Sequence, residues 1–296
     1  VITIPPATEA VSPRFRELDS WPPAAILSTL WQGQLAAAAA VGPALQAIDA
    51  AANAALPRLA GSGRLVYVGA GTSGRIGVQD GAELPPTFNW PENRLVLLMA
   101  GGEIAFTRAV ENAEDDQAAA VNALESNVVS AEDVVIGIAA SGSTPFTTAA
   151  IMRAREIGAL TIGVANSPGG ALLAAAEHAI LVETGAEVLA GSTRLAAGTA
   201  QKIVLNLFST LVMVQLGRVH EGLMVDMQAR NEKLRHRAVR MLRQLTGAED
   251  TAIRAALEAS DGQVKTAFLV LQGLQPDDAV ARLAAHGGRL RAALGR

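Results

Sequence analysis

With 296 residues, 50 % of them hydrophobic, the chain can bury a sizeable core, as one large domain with a smaller one or as two modest domains. A net charge of −4 argues against a nucleic-acid surface as its main business, and the absence of Cys excludes disulfides, thiolate nucleophiles and Cys-ligated metals. Aromatic residues make up 3 %, so burial rests on Ala, Leu, Val and Ile, which favours closely packed helices and parallel strands.

Residues 1–22 contain several prolines and read as an extended N-terminal arm, either a frayed end or a segment wrapping a partner subunit. Pro23 to Leu59 is rich in Ala, the best helix former, and Gly42-Pro43 divides it into two helices. The Ala-rich stretch Leu35 to Leu56 makes a poor signal or membrane span, because Pro43, Gln46 and Asp49 interrupt it and no basic segment leads it. Ile203 to Leu216 is more apolar but reads as too short to span and carries Asn206 and Gln215, so a soluble cytoplasmic protein is expected.

From Arg64 the period changes. Short apolar runs at Leu65–Val68, Leu95–Met99, Val134–Ala139, Leu160–Ala165 and Ala179–Val182 alternate with helical stretches at Ala109–Asn127, Phe146–Ile157 and Pro168–Ala176. This alternation implies a doubly wound α/β parallel sheet with right-handed crossovers. Ligands then bind beyond the carboxyl ends of the strands, where the informative residues should lie. A further apolar helix is expected from about Gly191 to Leu216, with Arg194 and Lys202 near its start as surface charges, anion ligands or subunit contacts. Asp226 to Leu234 is polar, and Lys233 or Asn231 there could reach a substrate or merely face solvent. The remainder, 235–296, reads as a small helical module with helices at Ala238–Leu245, Thr251–Ala259, Gly262–Leu271 and Pro276–Ala285. Residues 23–234 would then form the main α/β domain.

The chemistry concentrates after the first and third runs. Gly69-Ala70-Gly71-Thr72-Ser73-Gly74 joins a strand to a helix start, where unpaired N–H groups and the helix dipole favour an anion. The hydroxyls of Thr72 and Ser73 could reach a phosphate oxygen. Ser141-Gly142-Ser143-Thr144-Pro145 repeats the arrangement; simple capping explains one such turn, but two at strand ends of one sheet point to a shared phosphate site. The glycine spacing also fits a dinucleotide fingerprint, which requires an acidic residue closing the second strand ~20 residues on. Here Leu95–Met99 ends in Ala100-Gly101-Gly102, with Glu103 only after the glycines. Glu83, followed by Pro85-Pro86, sets a carboxyl group beside the cradle and suggests acid–base chemistry on a phosphorylated substrate. His178, His220, His236 and His286 are scattered without ligand spacing, so no metal site is expected.

VGAGTSGR, Glu83 to Phe88, AGG at Ala100 to Gly102, AVENAED at Ala109 to Asp115, IAASGSTPF at Ile138 to Phe146, GAEV at Gly185 to Val188, AGTAQK at Ala197 to Lys202 and NEKL at Asn231 to Leu234 resemble the N-acetylmuramic acid 6-phosphate etherase family, from about Thr8 onward. The resemblance implies a flavodoxin-like sugar isomerase (SIS) domain, a homodimer and a ubiquitin-associated-like C-terminal helical module. It implies cleavage of a D-lactyl ether to N-acetylglucosamine 6-phosphate and D-lactate in cell-wall recycling, with no cofactor. Glu83 matches the family's acid and Glu114 its second catalytic carboxylate. From the residues alone, Glu114 reads as one surface carboxylate among Glu111, Asp115 and Asp116. Gly71, Thr72, Ser73, Ser141, Gly142, Ser143, Thr144 and Lys233 are the expected substrate- and phosphate-binding residues. The chain departs from the family pattern at Ala82 and Leu84, where Ser and Cys flank the first Glu, at Ser143, where Arg stands, and at Ala196, where Lys stands. Two alternatives share the fold. A sugar-phosphate isomerase would not need the paired Glu83 and Glu114 segments; a non-catalytic sensor regulating transcription should carry a basic helix-turn-helix, which is not seen before Pro23, whereas one inhibiting a partner enzyme would use the C-terminal module as its docking surface.

Overall fold

The computed structural model describes residues 6–229 and 232–295, so Asn231 and the first residues of the arm lie outside it. Two compact units emerge, the first built from Val1–Ala82 and Asn93–Ser209, the second from Glu83–Glu92 and Thr210–Arg296.

In the first unit, helix α1 (Pro23–Ala40) and helix α2 (Leu45–Ala60) meet at a turn through Gly42–Ala44, as the Gly-Pro break predicts. Strands β1 (Leu65–Gly69), β2 (Leu95–Met99), β3 (Val134–Ala139), β4 (Leu160–Ala165) and β5 (His178–Leu181) form one sheet of order β2-β1-β3-β4-β5 in which every pairing is parallel. The last strand starts one residue earlier than its apolar run. This order reverses direction between β1 and β3, and in such sheets the crevice beyond those two strand ends receives the ligand. β1, β3 and β4 are buried along their whole length, which is why they read as unbroken apolar runs.

Helix α3 (Gly71–Phe88) follows β1 directly and lies close to the sheet. A Cβ at Gly74 would come 2.8 Å from Gly69 O, one at Gly77 2.8 Å from Ile138 Cδ1, and one at Gly81 2.7 Å from Leu97 Cδ2. A stripe of glycines at helical spacing therefore sets the helix–sheet distance, despite a cost of about 1 kcal/mol each in helix propensity. Helices α4 (Gln117–Ser126), α5 (Pro145–Ile157) and α6 (Ala171–Ala175) complete the crossovers. Two of them are shorter than their patterns suggested. Asn112 adopts a left-handed φ of 60° and Asp116 caps at φ −80°, ψ 89°, so Ala109–Asp116 is irregular and the helix waits until Gln117. Gly169, at φ +77°, delays α6 in the same way.

The arm is a correction to the extended reading. It folds into short 3-10 turns at Ala7–Glu9, Pro13–Phe15 and Leu18–Ser20, the first two started by Pro6 and Pro13, whose fixed φ favours such turns. It is tied to its own chain: Thr8 is buried, its carbonyl accepts from Gly191 N–H, and its hydroxyl lies 3.5 Å from that of Ser167.

Helix α7 (Ala196–Gln215) is 20 residues long, longer than the apolar run read from the sequence. By length and composition it and the stretch Pro23–Ala60 could cross a membrane, but α7 carries the buried side chains Val204, Leu205 and Phe208. In the second unit, strands β6 (Val219–His220) and β7 (Leu223–Met224) pair antiparallel. Helices α8 (Glu232–Thr246), α9 (Asp250–Ala259), α10 (Val264–Leu271), α11 (Pro276–Ala285) and α12 (Leu290–Ala293) follow. They enclose a core that includes Val225, Leu242, Ile253, Val264 and Leu290. The boundary expected at 234–235 falls inside α8, which runs through it unbroken. Val264, not Gly262, begins α10, because Gly262 sits at φ +73°.

Candidate functional site

The two hydroxyl-bearing turns stand at the carboxyl ends of β1 and β3, neighbouring strands in register from Leu65 opposite Val134 to Gly69 opposite Ile138. The first turn is tighter than a loop. Gly71 takes φ +53°, and the helix begins with it, so Thr72 and Ser73 belong to the first turn of α3. Their N–H groups are among those a helix start leaves without intrahelical acceptors. Ser73 is buried and Thr72 half-buried. The methyl of Thr72 would lie 3.4 Å from a Cβ at Gly198, so a glycine admits the first turn of α7 beside α3.

In the second turn Gly142 takes φ +70° and Ser141 Oγ accepts from Ser143 N–H at 3.1 Å. Thr144 is the residue before α5 and Pro145 its first residue, but the Thr144 hydroxyl makes no capping bond. Capping therefore does not account for this threonine. Ser143 is exposed and Thr144 half-buried.

Glu114 lies in a 3-10 turn at Ala113–Asp115. It lines a cavity of about 230 Å³ whose walls include Gly71, Arg75, Arg108 and Glu111. The structure thus brings Glu114 together with the start of α3 and with a second carboxylate, Glu111. Asp116 has a different task, accepting from Ala119 N–H at 2.8 Å as the N-cap of α4. Thr72, Ser73 and the residues of the second turn are not among the walls of this cavity. Arg75 was not singled out in the sequence reading, yet it organises this loop. Its Nε donates to Ala105 O at 3.1 Å and Phe106 O at 3.3 Å, and its Nη2 to Arg108 O at 3.0 Å.

Glu83 is exposed on α3, three residues beyond Asp80. Asp80 is buried and accepts from Tyr67 Oη at 2.8 Å, Asn206 Nδ2 at 2.6 Å and Ser209 Oγ at 3.2 Å. Burial, followed by the Asp80 charge and its hydrogen bond, holds the Tyr67 phenol well above its ordinary range, so it stays a donor. Beyond Glu83 the helix contains Pro85 and Pro86, which lack an N–H, and it ends in Asn89 at φ 52°. Asn89 N–H closes on Pro85 O at 2.9 Å, a left-handed helix end of the kind Asn tolerates.

Lys233 is exposed in the first turn of α8, in the second unit, and Asn231 lies outside the described residues. The stretch from Asp226 is not a solvated helix face throughout, because Asp226 is ion-paired to Arg218 at 2.6 Å and Lys265 at 2.9 Å. Arg194 and Lys202 are exposed, and the start of α7 is already satisfied. The buried Glu187 carboxylate accepts from Ala196 N–H and Ala197 N–H, both at 2.9 Å. Gln201, in the A-G-T-A-Q-K segment, is a buried strut that donates to Asn166 Oδ1 at 2.9 Å.

Residues 47–155 match the family model of the glucokinase regulatory protein N-terminal SIS domain, and residues 112–212 match the SIS domain. A protein of Deinococcus radiodurans named N-acetylmuramic acid 6-phosphate etherase is 49 % identical over 295 residues, covering 99 % of this chain and 97 % of that protein. The chain belongs to the N-acetylmuramic acid 6-phosphate etherase family. A relative of the same name from Streptomyces coelicolor is 48 % identical over 97 % of this chain and 93 % of its own length. Among solved structures, E. coli CFT073 c3406 in complex with A5P covers 67 % of this chain and 94 % of its own at 16 % identity and a TM-score of 0.50, a likeness of fold alone. The five-stranded parallel sheet with flanking helices is thus a SIS domain, as the sequence led us to expect.

Proposed function

We propose that this chain is a carbon–oxygen lyase that cleaves the D-lactyl ether of N-acetylmuramic acid 6-phosphate, releasing N-acetylglucosamine 6-phosphate and D-lactate. Identity of 44–49 % to relatives named for that etherase, over nearly the whole chain, carries the reading. The chemistry fits the residues. Ring opening exposes an aldehyde at C1, which acidifies the proton at C2. A base removes that proton, a C2=C3 double bond forms, the C3–oxygen bond breaks, and an acid delivers a proton to the departing lactyl oxygen. Water then adds across the double bond, its oxygen to C3 and a proton to C2. The balance closes with water alone, so no cofactor enters. Two carboxyl groups suffice for the proton transfers. Glu83 serves the leaving oxygen, and Glu114, lining the cavity at the start of α3, is the second catalytic carboxylate.

The phosphate is received by the first turn of α3 (Gly71, Thr72, Ser73) and by the Ser141, Gly142, Ser143 and Thr144 turn, with Lys233 as an added cation. The cytoplasmic location and the homodimer belong to the same reading. Support for a second copy comes from α1, where Leu27, Trp31 and Leu35 recur at helical spacing and are all more than half exposed. A soluble lyase acting on a phosphorylated sugar needs neither nucleic acid nor membrane as partner.

The deciding experiment incubates purified protein with N-acetylmuramic acid 6-phosphate and measures D-lactate, beside sugar phosphates that an isomerase would convert. Lactate release by the wild type, abolished in Glu83→Ala with its circular dichroism intact, is the expected result. Isomerase turnover without lactate, or near-wild-type turnover in Glu83→Ala, overturns it.

A further inference from the structure

Within the second unit the segment that carries Glu83 ends in an unusual piece of polar bonding. Helices leave their last carbonyls without intrahelical donors, and here an arginine distant in sequence supplies one. Arg218 Nη1 donates to Phe88 O at 2.7 Å and to Asn89 O at 3.1 Å. The same nitrogen is paired with Asp226 at 2.6 Å, and the guanidinium carbon lies 5.2 Å from the centre of the Trp90 ring. Asp226 is itself fixed on its other oxygen by Lys265, whose ammonium group also donates to Gly288 O at 2.7 Å. Lys265 and Trp90 are buried, and Arg218 nearly so. A cation at a helix carboxyl end also complements the dipole. Burial pulls both cations below their ordinary ranges against the pull of Asp226, so the cluster is tightly enclosed.

Two prolines make this cap matter. Pro85 and Pro86 cannot donate, so the last turns of α3 lack part of the hydrogen bonding that would keep Glu83 in register. Beyond the bonds within the helix itself, this end is closed by Asn89 N–H to Pro85 O, a long Trp90 N–H to Leu84 O contact at 3.4 Å, and Arg218.

We propose that Arg218, held by Asp226, is a positioning residue for the etherase reaction: it caps the carboxyl end of α3 and thereby sets the helical segment from which Glu83 acts. The proposal rests on the catalytic role given to Glu83 above. Neither Arg218 nor Asp226 touches the reacting atoms in this account. One nitrogen of the guanidinium meets two carbonyls and a carboxylate while the guanidinium carbon stays over the Trp90 ring, a placement that the shorter, tetrahedral ammonium group of Lys does not reproduce.

The test compares Arg218→Ala, Arg218→Lys and Asp226→Asn with the wild type by lactate release and by hydrogen exchange of the Leu84–Trp90 amides. Arg243→Ala, which removes an exposed pair with Asp250 in the same unit, is the control and should leave both unchanged. Arg218→Ala should lower kcat about ten- to hundredfold with KM within about twofold, as expected for slight misplacement of a catalytic group. Exchange should quicken at Asn89 and Trp90, and added guanidinium should restore part of kcat. Arg218→Lys keeps the charge and so protects against loss of fold; it should show the same changes in smaller measure. Folded variants with wild-type kcat and unchanged exchange overturn the proposal, as does a loss of activity that follows melting temperature and is not rescued by guanidinium. If the wild type releases no lactate, the functional reading fails, and exchange alone still decides whether Arg218 fixes this segment.

Discussion

Glu83 rides near the end of an 18-residue helix, whereas Glu114 sits in a three-residue turn inside an irregular stretch. The supports differ in kind. Before Glu83, α3 is clamped by three glycine contacts to the sheet and by buried Asp80; after it, Arg218 and Trp90 close the helix. The stretch before Glu114 has left-handed residues at Gly101, Gly102 and Asn112, and exposed apolar side chains at Ile104 and Val110. Its anchors are a few backbone turns and the fork of Arg75. One carboxylate thus stands on a rigid mount and the other on a loop with one adjustable strut. Elements with few buried contacts open at the lowest free-energy cost, so the loop before Glu114 is the more readily opened of the two supports.

The largest effect to expect is chemical and should fall on both mounts alike. Glu83→Gln and Glu114→Gln keep size and hydrogen bonding but remove the proton-transfer group, and each should cut kcat by about 10²–10⁴-fold. Single-turnover lactate release measures this. Should Glu114→Gln keep near-wild-type turnover while Glu83→Gln is dead, Glu111, which lines the same cavity, becomes the second carboxylate, and the comparison must be redrawn around it.

A smaller effect separates the mounts. Arg75→Lys removes a planar fork that three carbonyls share. It should raise exchange in residues 103–110 and lower kcat/KM about tenfold, in line with a displaced but intact carboxylate, while melting temperature moves little. Asp80→Ala should do the opposite. It strands Tyr67, Asn206 and Ser209 without their acceptor, which should cost roughly 3 kcal/mol of stability. If Arg75→Lys melts like Asp80→Ala, the loop is as rigid as the helix and the contrast fails.

Much of the first mount was legible in the sequence, because it is local. The apolar run, Gly71, the hydroxyls and the helix start lie within a short window, and parallel strands buried on both faces announce themselves as unbroken apolar runs. The loop was not legible. Ala109–Asn127 has helical composition, and only the left-handed Asn112 and the capping Asp116 divide it. The partners of Asp80 and Arg218 were hidden as well. Asn206 and Asp80, or Arg218 and Phe88, are far apart in sequence, and no period relates them. Glu187 looked like part of a motif and Arg194 like an anion ligand, yet Glu187 itself fills the start of α7.

The smallest effect on turnover is expected at an ion pair that joins the amino ends of β1 and β3. Arg64, just before β1, pairs with Asp133, just before β3, at 2.7 Å, and Asp133 also accepts from Arg64 N–H and Ser130 N–H, both at 2.9 Å. Burial opposes the charge on Asp133, but the Arg64 side chain and the two backbone donors outweigh it and hold the carboxyl below its ordinary value of 3.8. A carboxyl lowered on folding stabilises the protein above its unfolded value, and that contribution is lost as pH falls through the lowered one. Asp133→Asn should therefore reduce stability by roughly 1–3 kcal/mol at neutral pH, read by denaturant unfolding. The gap to the wild type should narrow as the pH falls below 3.8, where the unfolded chain's carboxyl takes up its proton, and close once the folded carboxyl, held lower, does so too. Its kcat should remain that of the wild type, because the bonds it alters join the starts of β1 and β3, whereas the stretch that holds Glu114 follows the end of β2. A kcat that falls with stability in Asp133→Asn would mean that the sheet transmits strain along its strands to the loop of Glu114, and the separation between a rigid scaffold and an adjustable loop would have to be abandoned.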